Sequence, residues 1–252
     1  MNKRGQIAIF VIVALVIVGV ILVVFAYPRL SSIIAPKELS PEQYLRDCVQ
    51  PDVKGAIELL AKQGGEQNPV GTINYLDTNV KYLCYVSGYY KPCLVIQPLL
   101  ATTFENELSK ILTPKANACA RSLITEYERR GYSVSSSEII SSISLGPGKV
   151  IIEFNAPMTI TSEETTRTFD KFDSSVDSKI YDLLSIATSI IDYESTYGDS
   201  ETTTYMSYYP DLKINKIKLE DGVKIYKLTN VVTNEMFQFA TRSLVWPPGY
   251  GL

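Results

Sequence analysis

A single uncharged stretch limits this chain more than any other feature. Ile7 to Ala26 reads IAIFVIVALVIVGVILVVFA, twenty residues with no charge and no strongly polar side chain. At about 1.5 Å rise per residue, a helix of that length spans roughly 30 Å, the thickness of a bilayer's hydrocarbon core. A helix in a soluble core keeps a polar stripe, and this run has none. Tyr27 stands where an interfacial aromatic belongs, and Pro28 stops the helix. The expectation is a charged signal segment over 1–6, a transmembrane helix over 7–27 and a juxtamembrane linker over 28–41. The lipid bilayer, met through Ile7 to Ala26, is then the first partner. A cleaved secretory signal is the alternative, although its apolar core is normally about 7–15 residues. Lys3 and Arg4 precede the run and Arg29 and Lys37 follow it, so the positive-inside count leans only slightly towards an internal amino terminus.

The remainder, 42–252, reads as an extracellular α+β domain in which antiparallel hairpins pack with three helical regions. Leu45, Cys48, Val49, Val53, Ala56, Ile57 and Leu60 recur at three-to-four spacing. That places them on one helix face, with a kink expected at Pro51 and an end at Gly64-Gly65. Two β-like runs follow, Thr72 to Leu76 and Lys81 to Val86. A second helical region covers Thr103 to Arg130, with Phe104, Leu108, Ile111, Leu112, Cys119, Leu123 and Tyr127 on its stripe, an interruption expected at Pro114 and an end at Gly131. Val150 to Thr161 and Thr165 to Phe172 read as a hairpin. A third helix is expected to be capped by Asp173 or Ser174, with Val176, Ile180, Leu183, Leu184, Ala187, Ile190 and Ile191 as its stripe. After the polar stretch Glu194 to Thr204, strands are expected at Leu212 to Leu219, Val223 to Leu228 and Met236 to Val245, with Asp221-Gly222 as a type I′ turn. A sub-boundary is placed near 131–148.

Cys48, Cys84, Cys93 and Cys119 allow three connectivities. Cys84 and Cys93 flank Ser87-Gly88, so a local turn can join them. Cys48 and Cys119 lie on the apolar stripes of two different helices, so packing those faces brings the sulfurs together. The preferred disulfides are therefore Cys48–Cys119 and Cys84–Cys93, against four buried thiols or a zinc site. An even cysteine count after an anchor fits an oxidising exterior.

The chemistry left to the domain is narrow. The chain has no histidine, which removes His-dependent triads and histidine-ligated zinc. The net charge of −3 offers no basic excess, so no nucleic-acid partner is expected. No G-x-S-x-G, phosphate-binding glycine loop or N-x-S/T sequon occurs. No catalytic, cofactor-binding or metal residue is assigned. Asp192, Glu194, Asp199 and Glu201 read as a solvated acidic loop rather than a calcium site. Two tyrosine clusters, Tyr85/Tyr89/Tyr90 and Tyr205/Tyr208/Tyr209, are candidates for a partner or glycan surface, or for ordinary packing.

Lys3-Arg4-Gly5-Gln6 followed directly by an apolar helix resembles the class III signal of archaeal type IV pilin-like proteins. The resemblance implies cleavage after Gly5 and Gln6 as the mature terminus. Many pilins carry a glutamate at the fifth mature position, where this chain has Phe10. From Tyr44 onward, YLRDCVQPDVKGAIELLAKQGG, then YYKPC and Cys119, the chain is similar to a family of uncharacterised archaeal single-pass surface proteins. That resemblance implies architecture and compartment, not activity. The expected function is a membrane-anchored surface protein with a disulfide-stabilised structural or adhesive ectodomain that self-associates or meets other surface proteins. A pilin-like filament subunit and an anchored ecto-enzyme are the alternatives.

Overall fold

The computed structural model describes residues 13–21, 40–163 and 165–245. Residues 13–21 are helical (α1), and their apolar side chains, Leu15 and Val16 among them, are exposed. Among the described residues no helix is long and apolar enough to cross a membrane. The expected span over 7–27 lies mostly outside those residues, as do Gly5 and Gln6 and nearly all of the linker. The chain divides into two compact units, Met1–Ser40 and Pro41–Leu252.

The second unit is an α+β fold. In chain order its elements are α2 (Pro41–Lys62), β1 (Thr72–Tyr75), β2 (Thr78–Tyr85), β3 (Leu94–Val95), α3 (Leu100–Arg129), β4 (Ser133–Ser136), β5 (Ile140–Gly146), β6 (Lys149–Thr161) and β7 (Thr166–Asp177). Then follow α4 (Ile180–Tyr197), α5 (Thr202–Tyr208), β8 (Leu212–Lys218), β9 (Val223–Asn230) and β10 (Met236–Arg242). One sheet has the order β1-β2-β10-β9-β8, with β3 also on β2. The other has the order β4-β6-β5, with β7 on the free side of β6.

Both prolines expected to disturb helices are accommodated. α2 runs through Pro51 and α3 through Pro114. Each proline sits on the exposed side of its helix, so the carbonyl it leaves without an N–H can bond water. The buried stripes continue past them: Val49 and Val53 in α2, Leu112 and Ala116 in α3, all below 6% exposed. Gly64 ends α2 at φ 82°, and a Cβ there would lie 2.8 Å from Lys81 Cβ.

The third helix begins later than its apolar pattern suggests. Asp173, Ser174 and Val176 belong to β7, and α4 starts at Ile180 with no side-chain cap from its own N-cap residue. Apolar residues at 172, 176 and 180 satisfy a helical period and a strand period alike. The ladder with β6 decides, pairing Phe154 with Phe172 and Val150 with Val176. The cap comes instead from Glu235 in the β9–β10 turn, which accepts Lys179 N–H at 2.7 Å and the Ser178 hydroxyl at 2.5 Å. The polar stretch after α4 holds a fourth helix of this unit, α5, capped by Glu201 accepting Thr203 N–H at 2.9 Å. The expected antiparallel hairpins form, β6 with β7 and β8 with β9; beside them β2 and β10 pair in parallel across most of the chain, which local pattern cannot reveal. Asp221 and Gly222 take left-handed φ of 55° and 72°, as the type I′ turn requires.

α3 also closes one sheet edge. Glu105, Ser109, Thr113 and Asn117 fall four residues apart and line the outer edge of β5. Glu105 accepts Leu145 N–H at 2.8 Å, and the Ser109 hydroxyl donates to Ser141 O at 2.8 Å. Thr113 accepts Ser141 N–H at 3.3 Å. Asn117 makes a two-way pair with Ile139, accepting its N–H and donating to its carbonyl, both at 2.9 Å. The helix thus supplies the bonds a further strand would have made.

Candidate functional site

The disulfides join Cys48 to Cys119 and Cys84 to Cys93, and no described cysteine is free. These are the two pairs preferred from the sequence. Cys48–Cys119 staples α2 to α3 over a separation of 71 residues. Cys48 is half-buried. Cys84–Cys93 closes a nine-residue separation and is fully buried, at 0% and 1% exposure.

A cleft of about 650 Å³ lies between α2, the start of α4 and the β9–β10 turn. Its floor is apolar, with Ile57, Ala61, Ile180 and Met236. Its rim carries Lys54, Glu58 and Lys62 at helical spacing on α2, facing Asp177 and Glu235. An apolar floor with charged walls of both signs suits binding of an amphipathic surface.

The tyrosine clusters behave differently from one another. Tyr85 and Tyr89 flank the Arg242 guanidinium at 5.6 and 5.8 Å, and Tyr89 and Tyr90 are each 54% exposed. Tyr205 is tied to α4 through Ser189 at 2.9 Å, while Tyr208 and Tyr209 remain exposed.

The acidic stretch is corrected most sharply. Glu194 is not solvated. It is 0% exposed and anchors a buried polar cluster at the carboxyl end of α4. Lys224 of β9 lies 2.6 Å from its Oε2, and the Ser243 hydroxyl donates to the same oxygen at 2.9 Å. Its Oε1 accepts the Tyr226 hydroxyl and, at 3.0 Å, Ser200 N–H. Lys224 also donates to Ser243 Oγ at 3.0 Å and to the Gly198 carbonyl. Burial, and then the Glu194 charge, push the Tyr226 phenol far above its usual range, so it remains a donor. Asp199 lies 3.5 Å from Lys224 and binds Lys216 and Lys218. Burial raises its pKa, but the bonds to Lys216 and Lys218 outweigh that and hold the carboxyl below its ordinary value. Asp192 and Glu201 are exposed. Among the described residues, no group of three or more Cys, Asp or Glu is placed to hold a metal ion.

One sequence signal pointed to this cluster. Glu194 falls three and four residues after Ile191 and Ile190, on the apolar stripe of its own helix. A carboxylate in that position must find a buried partner. No family model, curated protein or solved structure matches the chain.

Proposed function

We propose that the chain is a membrane-anchored surface protein, held through Ile7 to Ala26, whose Pro41–Leu252 unit is a structural or adhesive ectodomain. The observation that carries this reading is the pairing of every cysteine, one pair joining the end of β2 to the residue before β3 and one between two helices. Such bonds persist in an oxidising exterior and are rare in a reducing cytosol. The exposed apolar side chains of 13–21 support an apolar environment for that segment. The mixed-charge cleft beside α2 is the surface assigned to a partner. Protease added to intact cells should degrade the Pro41–Leu252 unit. Full protection, with digestion only after lysis, would reverse the orientation and defeat the reading.

The Lys3-Arg4-Gly5-Gln6 start favours a second reading, a filament subunit processed after Gly5. Mass spectrometry of the native amino-terminal peptide separates the two. A terminus at Gln6 supports processing, and a terminus at Met1 or Asn2 removes the filament argument.

A further inference from the structure

Lys224 and Glu194 form a buried, hydrogen-bonded ion pair. The lysine nitrogen is 2.6 Å from Oε2, inside a region where Glu194, Thr241 and Tyr226 are 0% exposed. The two carboxylate oxygens are treated differently. Oε1 receives two donors, the Tyr226 hydroxyl and the Ser200 amide. Oε2 meets the lysine, the Thr241 hydroxyl at 3.5 Å and the Ser243 hydroxyl, whose oxygen is 3.0 Å from Nζ, 2.9 Å from Oε2 and 2.8 Å from the Gly198 carbonyl. One carboxylate oxygen thus sits in a two-donor cradle, and the other sits beside a hydroxyl that reaches both reacting groups.

We propose that Lys224 and Glu194 condense to an intramolecular isopeptide bond that ties the last turn of α4 to β9. The 2.6 Å contact lets a proton move from the ammonium to the carboxylate. That transfer, from Nζ to Oε2, leaves a neutral amine and a neutral acid. The amine lone pair attacks Cδ, forming the C–N bond and moving the carbonyl electron pair onto Oε1. Tyr226 and the Ser200 amide hold that developing oxyanion, the arrangement that acyl transfer requires. Ser243 accepts a proton from the nitrogen as it passes its own to Oε2. The Cδ–Oε2 bond then breaks, its electron pair leaves with the oxygen, and the carbonyl re-forms. The sum is amine plus acid giving amide plus water, with nothing oxidised or reduced and no further reactant. Holding both groups in contact supplies the effective concentration that separate molecules lack.

The other buried pair serves as an internal control. Lys81 binds Glu66, whose side chain is 20% exposed, and its second partner is the Gln97 amide oxygen at 3.3 Å. No two-donor cradle holds Glu66, so it stays an ion pair.

The test is peptide mapping of the full chain with its disulfides reduced, which is indifferent to processing near Gly5. The expected product is a branched peptide joining the Glu194 and Lys224 segments, lighter by one water than the two peptides together. Lys224→Arg should yield both peptides unlinked. Glu194→Gln should link with loss of ammonia instead of water, because the amide nitrogen is then the leaving group. Tyr226→Phe, which keeps the ring, should leave at least a tenfold larger unlinked fraction after equal incubation. Unlinked Glu194 and Lys224 peptides from folded wild-type protein overturn the proposal. So does a water-loss linkage that survives Lys224→Arg. Neither result bears on the membrane reading, which protease accessibility decides separately.

Discussion

Asn117→Ala is the substitution whose cost the fold states most directly. The Asn117 amide satisfies both backbone groups of Ile139, accepting its N–H and donating to its carbonyl at 2.9 Å each. Ile139 is 1% exposed, so neither group faces bulk solvent when the amide is removed. Each buried backbone group left without a partner costs about 1–3 kcal/mol. Asn117 is only half-buried, and a water can enter part of the vacated space. Together these give a loss of roughly 2–4 kcal/mol. With a urea m-value of about 2 kcal/mol/M, the unfolding midpoint should fall by roughly 1–2 M.

The assay is urea unfolding of wild type and variant, with hydrogen exchange at the Ile139 amide as a local readout. Asn117→Asp sharpens it. The carboxylate still accepts the N–H but faces the Ile139 carbonyl with no donor, so this variant should recover stability as the carboxyl protonates in acid. A midpoint shift for Asn117→Ala within the error of an ordinary surface substitution would refute the reasoning. It would mean that the β5 edge does not depend on α3 for its hydrogen bonds.

Three further outcomes follow from the same geometry. Mild thiol reduction of the native protein should open Cys48–Cys119 first, because Cys48 is half-exposed while Cys84 and Cys93 are at 0% and 1% exposure; differential alkylation reads this, and simultaneous labelling of all four thiols would contradict it. Opening the long bridge should cost about 4 kcal/mol on the chain-entropy account for its 71-residue separation. The depressed pKa of Asp199 contributes stability that is present above the unfolded carboxyl pKa and lost as pH falls through the lower folded value. Asp199→Asn should therefore flatten the acid limb of a stability-versus-pH curve; an unchanged limb would assign the loss to another carboxylate. Gly198→Ala places a side chain at φ 78° and into Val245, and should cost at least about 1–2 kcal/mol from the left-handed backbone alone, read as a lower melting temperature.

Much of the helical half was legible because burial there follows one period. The stripes of α2 and α3 carry Val49, Leu60, Phe104 and Leu123 into the core at three-to-four spacing. The same stripes put Cys48 and Cys119 on facing helices. The start of α4 was not legible, because Phe172, Val176 and Ile180 fit two periods and only the partner strand chooses between them. The parallel pairing of β2 with β10 joins residues about 157 apart, as in Arg242 with Tyr85, and no local pattern encodes it. The buried cluster was half legible. Glu194 stood on an apolar stripe, but its charge among Asp192, Asp199 and Glu201 suggested a solvated loop. Its partners, Lys224 and Tyr226, lie in a strand buried on both faces, where alternation gives no warning of a charge.

Glu194 and Asn117 place a polar group on a helix and use it to complete a distant strand. Asn117, with Glu105, Ser109 and Thr113, satisfies the edge of β5. Glu194 reaches β9 through Lys224 and Tyr226, and reaches the end of β10 through Ser243. Glu235 acts in reverse, a turn residue between two strands that completes the start of α4. These contacts link elements that the hydrophobic core alone would allow to slide, because apolar packing is not directional. A hydrogen-bonded group in a buried position is satisfied in one register and left bare in the next. This directional pinning complements the disulfides. The bridges restrict the unfolded chain, and the polar clamps select which folded register is kept.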